Sequence, residues 1–331
     1  MQIRTTIIIP NYNGLKFMEP CFAALEEQTA RDFKVLEVDN GSTDGSVEWL
    51  KEKNIPSIFL EENTGFSGAV NVGIQAADTP YVILLNNDTQ VDPQYVEKLQ
   101  RAIERSDKIF SVSSKVIQMF APKLMDDAGD MYSIMGWAYQ RGVGRPVEKY
   151  DKGRRVFSAN AAAAIYRRKV FDEIGLFDEM HFAYLEDVDI GYRAKLYGYD
   201  NIYCPDAKVY HVGSGTSAEG SKYSAFKVKL AARNNIYLNY KNMAGWQQVI
   251  NFPFLAAGIL VKYMFFKKKG FGKDYVEGLK EGLKTRKNCK KVPKMPGRFR
   301  EELKIQFEMI WGTFVYVFEF SRRQAAKIGK K

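Results

Sequence analysis

Apolar and polar positions alternate along the first third of the chain in two periods. Thr5-Thr6-Ile7-Ile8-Ile9 is a β-branched run that stops at Pro10-Asn11, which predicts a strand and a turn. Residues 14–28 place Leu15, Met18, Phe22 and Leu25 at helical spacing. Phe33–Val38 reads as the next strand, ending in Asp39-Asn40-Gly41-Ser42. Thr43 or Asp44 then caps a helix carrying Val47, Trp49 and Leu50. Ser57–Leu60, Phe66–Ala76 and Tyr81–Leu85 continue as strand, helix and strand. Strands alternating with helices at short spacing predict an α/β fold with a mostly parallel central sheet covered on both faces.

From Val112 to Arg168 the pattern loosens. Glycines at 129, 136, 142 and 144 break it into short strands and loops, expected as antiparallel additions over a cleft. Ala159–Tyr166 is small and apolar, and Arg167-Arg168 reads as a solvated helix start. Asp187–Tyr197 is helical in pattern, and Val209-Tyr210-His211 closes a strand. After residue 222 the chain turns helical, aromatic and basic. The expected division is an α/β domain over 1–221, in two halves that meet at about residue 110, followed by a helical region over 222–331.

Charge sharpens that division. The net charge is +10, yet residues 222–331 carry 25 Lys and Arg against 7 Asp and Glu, while residues 1–221 carry 24 against 32. Two parts with different neighbours are expected. In the basic part, Phe252, Leu255, Ile259, Leu260, Tyr263 and Phe266 form one aromatic stripe, followed by Lys267-Lys268-Lys269. Leu303, Phe307, Ile310, Trp311, Phe314 and Phe318 form another, followed by Arg322-Arg323. Such stripes suit helices lying in an anionic membrane interface, or packing on the N-terminal domain or a second copy of the chain. No apolar run reaches the roughly 18–20 residues of a membrane span, and the N-terminus lacks a signal-peptide pattern. A cytoplasmic protein, peripheral on the inner membrane face, is the expectation. No nucleic-acid motif accompanies the charge, so nucleic acid is not an expected partner. Cys21, Cys204 and Cys289 show no disulfide or zinc spacing.

Candidate chemistry sits at the strand ends. Val82-Ile83-Leu84-Leu85 stops abruptly at Asn86-Asn87-Asp88, at the carboxyl edge where α/β sheets bind ligands. A lone carboxylate there suits a hard cation holding phosphate oxygens, though the same residues also make a turn and cap. Asp39 is placed either to read a base imide N–H or to cap a helix. Asn63-Thr64-Gly65-Phe66-Ser67-Gly68 is a loop whose glycines permit close backbone approach before a helix. Asn71, one turn further on, faces either the cleft or solvent.

In order along the chain, Ile9-Pro10-Asn11-Tyr12-Asn13-Gly14, Val38-Asp39-Asn40-Gly41-Ser42-Thr43-Asp44, Asn63–Asn71, Leu84–Asp88, Gly175-Leu176-Phe177-Asp178-Glu179 and Tyr184-Leu185-Glu186-Asp187-Val188-Asp189 resemble the inverting glycosyltransferases of family 2 and their nucleotide-sugar-binding GT-A fold. The resemblance spans roughly residues 4–240 and is nearest to a branch of bacterial rhamnosyltransferases. It implies that 1–221 is the catalytic domain, with a donor-binding half to about 110 and an acceptor half over about 111–221. It implies a nucleotide-sugar donor, dTDP-rhamnose first and a UDP-hexose as the alternative, and a glycan or lipid-linked glycan acceptor in cell-surface polysaccharide synthesis. Pro10, Asn11, Tyr12, Asp39, Asn40, Gly41, Asn63, Gly68, Asn71, Asn86, Asn87, Asp88 and Arg233 would line the donor. Asn86-Asn87-Asp88 fills the Asp-x-Asp position with its first acid replaced, which leaves Asp88 as the main protein ligand of Mn²⁺ or Mg²⁺. His211 resembles a distal histidine ligand, with a buried strand histidine as the alternative. Asp187 would be the general base, with Glu186 assisting, and Glu186, Asp189 and Trp137 would meet the acceptor. For Trp137 core packing is the alternative. A degenerate, non-catalytic membrane scaffold is the rival reading. A sugar nucleotidyltransferase would need a Gly-rich, basic triphosphate loop that Pro10-Asn11-Tyr12-Asn13-Gly14 does not supply.

Overall fold

The computed structural model describes residues 2–213, 223–293 and 297–328. Ser214 and the side chains of Arg322-Arg323 lie outside what is described. The chain divides into two compact units, Met1–Asp130 with Gln140–Ser224, and Met131–Tyr139 with Ala225–Lys331. The segment 131–139, read from the sequence as part of the acceptor half, therefore packs with the helical region.

In the first unit β1 (Thr5–Asn11), α1 (Leu15–Glu26), β2 (Phe33–Asp39), α2 (Ser46–Glu52), β3 (Ser57–Phe59), α3 (Gly65–Ala76) and β4 (Tyr81–Leu85) alternate as the periodicity predicts. Strand β1 pairs in parallel with β2 and β4, and β2 with β3. Ile7, Ile9, Ile83 and Leu85 enter one core, while Ile8, Val82 and Leu84 enter another. Successive side chains on a strand point to opposite faces, and both faces are covered here. That is why these strands read as unbroken apolar runs rather than alternating ones.

Beyond β4 the sheet becomes mixed. The remaining strands are β5 (Thr89–Val91), β6 (Ile109–Gln118), β7 (Met125–Asp127), β8 (Asp130–Tyr132), β9 (Ala138–Gln140), β10 (Arg154–Val156), β11 (Ala163–Arg167) and β12 (Asp200–His211). The central order is β10-β12-β6-β11-β4-β1-β2-β3, with β5 on β12 and β7 on β6. Strand β11 runs antiparallel between β4 and β6, whereas β12 lies parallel to β6. The parallel expectation thus holds for β1 to β4 and for the β6–β12 pair, while β5, β7, β10 and β11 join antiparallel. Helices α4 (Tyr95–Ile103), α5 (Arg168–Ile174) and α6 (Glu186–Leu196) complete the unit. Arg167 is no solvated helix start. It is buried, and its guanidinium donates to the carbonyls of Ile103, Ser106 and Ile109. The Ile103 carbonyl ends α4 and has no intrahelical donor, whereas the Ser106 carbonyl also accepts the Ile109 N–H at 3.1 Å.

The second unit contains α7 (Ala225–Asn242), α8 (Gly245–Lys268), α9 (Gly272–Thr285) and α10 (Arg298–Ile328). The 131–139 segment is bonded into it. Tyr132 donates to Asn239 Oδ1 at 2.9 Å, the Ile134 N–H to the Met309 carbonyl at 3.3 Å, and the Tyr139 hydroxyl to the Gly312 carbonyl at 2.6 Å. Both aromatic stripes are helical, and much of each is uncovered, including Phe252, Leu260 and Phe265 on α8 and Phe307, Trp311 and Phe314 on α10. Helix α8 is long and apolar enough to cross a membrane by length and composition, with a mean hydropathy of 1.7 over its most apolar window. This corrects the expectation that no segment has that length. Gln247, Gln248, Asn251 and Lys262 interrupt the apolar run in sequence, but the helix itself continues through them.

Candidate active site

The carboxyl ends of β1, β2 and β4 are knotted together by amides. Asn11, at the end of β1, donates through Nδ2 to Asp39 Oδ2 at 2.9 Å and accepts from Asn87 Nδ2 at 2.6 Å. The other oxygen of Asp39 accepts the Ser42 N–H at 2.9 Å. Gly14 permits this closeness, since a Cβ there would lie 2.1 Å from Asn87 Nδ2. Asp39 is fully buried in this arrangement. Pro10 is half-buried and Tyr12 is exposed at the same edge.

Several expected donor contacts prove to be braces. Asn40 donates to Asn63 Oδ1 and the Gly65 carbonyl and accepts from Thr64, so its amide is spent on the 63–65 loop. Asn63 in turn accepts the Gly65 N–H. Asn71 donates to the Phe177 carbonyl and Glu179 Oε1 and accepts the Phe177 N–H, which pins the 175–179 segment. It faces neither cleft nor solvent. Gly68 is needed because Thr64 Oγ1 would sit 2.4 Å from a Cβ, and Gly41 holds a positive φ of 79° against Glu62.

The antiparallel pairing of β5 with β12 sets His211 opposite Thr89. The imidazole therefore lies beside Asp88, with Nε2 3.2 Å from Asp88 Oδ1. On its other side Nδ1 is 2.8 Å from Asp126 Oδ2, a residue that β7 delivers through its pairing with β6. Burial disfavours the imidazolium, but hydrogen bonds to Asp126 and Asp88, and their charge, lift His211 to about 10. Among the described residues no cluster of three or more His, Cys, Asp or Glu side chains is arranged to hold a metal. Asp88 and His211 nevertheless fit two places of a divalent ion's shell. Adjacent octahedral ligands about 2.1 Å from an ion stand about 3 Å apart. An Nδ1–H donated to Asp126 leaves Nε2 free to ligate, the usual role of a carboxylate behind a metal-binding histidine. Phosphate oxygens and water would supply the remaining ligands. Asn86 stands half-buried beside them and uses its main chain to bond Ala162 and Thr89.

A second acidic group surrounds the start of α6. Phe182, Tyr184 and Leu185 all have positive φ, a concentration of backbone strain typical of functional loops. Glu186 is buried, with one carboxylate oxygen lacking a partner, whereas Asp187 is half-buried. Burial raises Asp187 above the ordinary carboxylate range, while bonds from the Val188 N–H and the Asp130 carboxyl oppose that rise. Asp130 is raised well above its usual value, by burial first and then by the charges of Asp127 and Asp187. Burial also pushes Asp127 up to about 7, against a bond from Asn160. The sequence pattern assigned no role to Asp126, Asp127 or Asp130. Three acids within five residues, set among glycines, were the available signal.

Three assignments change. Asp189 is fully buried and paired with Arg193, whose guanidinium binds the carbonyls of Ile174, Gly175 and Leu176, so it positions α6 and does not meet an acceptor. Arg233 belongs to the helical unit, where its guanidinium is engaged by Glu281 Oε1 at 3.0 Å. Trp137 is also in that unit. Its Nε1 donates to the Gly258 carbonyl at 3.2 Å and its ring packs edge-on to Tyr316, the core-packing alternative rather than a sugar platform.

Comparison with known proteins agrees with this geometry. The family model described as "Glycosyl transferase family 2" matches residues 6–175. An N-acetylglucosaminyl-diphospho-decaprenol L-rhamnosyltransferase of Mycobacterium tuberculosis is 29% identical over 233 residues, covering 62% of this chain and 75% of that protein. A teichoic acid poly(glycerol phosphate) polymerase of Staphylococcus epidermidis is 33% identical over 94 residues, 27% of this chain and 13% of its own. Among solved structures, GalNAc-T7 with UDP, GalNAc and Mn²⁺ superposes with a TM-score of 0.61 at 16% identity, covering 88% of this chain and 55% of that one. A mannosyltransferase from Pyrobaculum calidifontis in complex with GDP-Man and Mn²⁺ gives 0.52 at 14% identity, covering 86% and 88%. Both share the GT-A glycosyltransferase fold with this chain.

Proposed function

The chain belongs to glycosyltransferase family 2, and from that premise we propose that it is an inverting, metal-dependent rhamnosyltransferase. It takes rhamnose from dTDP-rhamnose and transfers it to a hydroxyl of a lipid-linked glycan. The observation that carries this reading is the juxtaposition of Asp88, His211 and Asp126 with a half-buried, base-strengthened Asp187 in one unit. Rhamnose is favoured by the mycobacterial relative, whose alignment covers three quarters of that protein. A UDP-hexose donor is the second reading, drawn from the UDP bound in GalNAc-T7.

In this mechanism Asp88 and His211 would hold a Mn²⁺ or Mg²⁺ ion, whose charge would offset that of the leaving diphosphate. The Asn11–Asp39–Asn87 knot fixes the pocket for the base and ribose. Asp187 accepts the acceptor hydroxyl proton, and its raised affinity for protons makes it a stronger base than an exposed aspartate. Glu186, buried beside it, supplies an acidic wall that orients the hydroxyl. Inversion follows from a single in-line displacement with acceptor and diphosphate on opposite sides of the anomeric carbon.

The basic helical unit adds a membrane role to the proposal. Its uncovered aromatic residues and cationic excess suit the anionic inner face of the cell membrane, where a lipid-linked acceptor resides. Pairing of α8 and α10 with a second copy of the chain is the competing use of those faces.

The test is a thermal-shift panel of dTDP- and UDP-sugars with Mn²⁺ and with EDTA, followed by NMR of the product anomer. Stabilisation by dTDP-rhamnose alone, lost in EDTA, with an inverted product, supports the reading. Stabilisation by a UDP-hexose moves it to the second donor. No transfer with any donor leaves the non-catalytic scaffold.

A further inference from the structure

The helical unit contains a cavity of about 300 Å³ that no step of the sugar chemistry uses. Its walls come from α7, α8 and α9 and from the 135–137 turn, and they are mostly apolar. Val228, Leu255, Ile259, Leu279 and Trp137 are prominent among them. The turn reaches the cavity because α8 has glycine at 258, where a Cβ would lie 2.2 Å from the Met135 carbonyl.

Two cations line this apolar space, Lys262 from α8 and Arg286 at the end of α9. Among the described residues no carboxylate lines it with them. Among the described residues Lys262 has neither a hydrogen-bond acceptor nor an ion-pair partner, and burial alone lowers its ammonium to about 8. Arg286 is held only by stacking, its guanidinium 5.6 Å from the centre of the Tyr240 ring. Contrast Arg233, one helical turn from the same cavity wall and satisfied by Glu281. A cation set in an apolar cavity without a counter-charge is a cost that an anionic ligand relieves. The required ligand is amphipathic: an apolar chain for the walls and a phosphate for the two cations. The volume lies at the small end of the range for ligand pockets, so part of a chain is gripped and the rest stays outside.

We propose that this cavity binds the isoprenoid phosphate portion of the lipid-linked acceptor, with the first isoprene units against Leu255, Ile259 and Trp137 and the phosphate between Lys262 and Arg286. The proposal rests on the lipid-linked acceptor named above. It gives the helical unit a substrate-recognition role in addition to any contact with the membrane surface.

The experiment titrates the full chain in EDTA with farnesyl diphosphate, farnesol and inorganic diphosphate, reading intrinsic tryptophan fluorescence and calorimetric heat. EDTA removes the metal that would let a diphosphate enter the donor site, and Asp88→Ala serves as the control for that route. Farnesyl diphosphate should bind at least tenfold more tightly than either fragment. Lys262→Gln should weaken it about tenfold, and Ala256→Phe, which fills the cavity mouth, should abolish it with the melting temperature retained. Equal affinity for farnesol, or affinity unchanged in both variants, overturns the proposal. Displacement by phosphatidylglycerol at equal concentration also overturns it, because the cavity then takes bulk lipid. So does a change in sedimentation on Ala256→Phe, which assigns the cavity to a second copy of the chain. Because binding is measured without turnover, it can succeed even if no sugar is transferred. If transfer occurs and these variants leave the acceptor KM unchanged, only the cavity assignment falls.

Discussion

Binding of a divalent ion by this protein should release a proton, and the source is His211. Without metal, the imidazole lies between Asp88 and Asp126, which hold its proton up to about 10. A metal ligand must be neutral at the coordinating nitrogen, so that proton leaves when the ion arrives. The sign follows from the raised value. The imidazolium bridge stabilises the metal-free protein fully below the ordinary histidine range, near 6.5, and its contribution fades as pH rises through 10. At pH 7, three pH units below that value, deprotonation costs about 4 kcal/mol of the intrinsic binding energy. Apparent Mn²⁺ affinity should therefore improve about tenfold for each pH unit between 7 and 9. Calorimetry in two buffers of different ionisation enthalpy counts the protons, with close to one expected per ion. His211→Gln should bind weakly, with little pH dependence. Equal Mn²⁺ affinity at pH 7 and pH 8, with no proton released, would refute the assignment of His211 as a ligand.

Asp187→Asn should leave donor affinity within a few-fold and lower kcat by about 10²-fold or more, a split that a donor-site residue would not give. Gly14→Ala should raise the donor KM and lower the melting temperature, because its Cβ collides with the Asn87 amide and breaks the Asn11–Asn87 bond. Normal values for both would show that the knot is incidental. Arg167→Ala should cost about 3 kcal/mol in a denaturant titration, since it removes three hydrogen bonds made by a buried guanidinium. Binding of the full chain to phosphatidylglycerol vesicles should weaken as salt rises, each Lys or Arg near the surface contributing about 1 kcal/mol before screening. Equal binding to neutral vesicles would remove the electrostatic part.

The parallel half of the fold was legible because β1 and β4 are buried on both faces, and such burial leaves an uninterrupted apolar signature. The antiparallel half was not, since β11 is as apolar as β4 and nothing local declares its direction. Motif order singled out Asp88, His211 and Asp187 as candidates, and the fold sets two of them, Asp88 and His211, side by side. Motif order did not reveal their partners. Asp126 meets His211 only through the pairing of β7 with β6, and Asp130 meets Asp187 only after 57 residues of chain return to it. Asn40, Asn71 and Asp189 show the opposite error. A polar residue inside a motif reads as a ligand contact, yet these three are braces, and only the count of used hydrogen-bonding groups tells the difference. Arg167 was misread because a doublet of arginines after a strand resembles an exposed helix start, while its acceptors come from α4.

The excursion of Met131–Tyr139 into the helical unit has an evolutionary and practical reading. A tail appended after residue 224 would be a detachable accessory, free to be lost, exchanged or trimmed. Here the chain visits the tail's territory long before the tail is synthesised. Cutting at residue 224 would strand Tyr132, Ile134, Trp137 and Tyr139 without the helix groups they bond. The two units are discontinuous in sequence and so are inherited as one cassette. Grafting this tail onto another transferase requires grafting the 131–139 segment with it, and a ribosome-bound chain cannot seat that segment until the last helix has emerged.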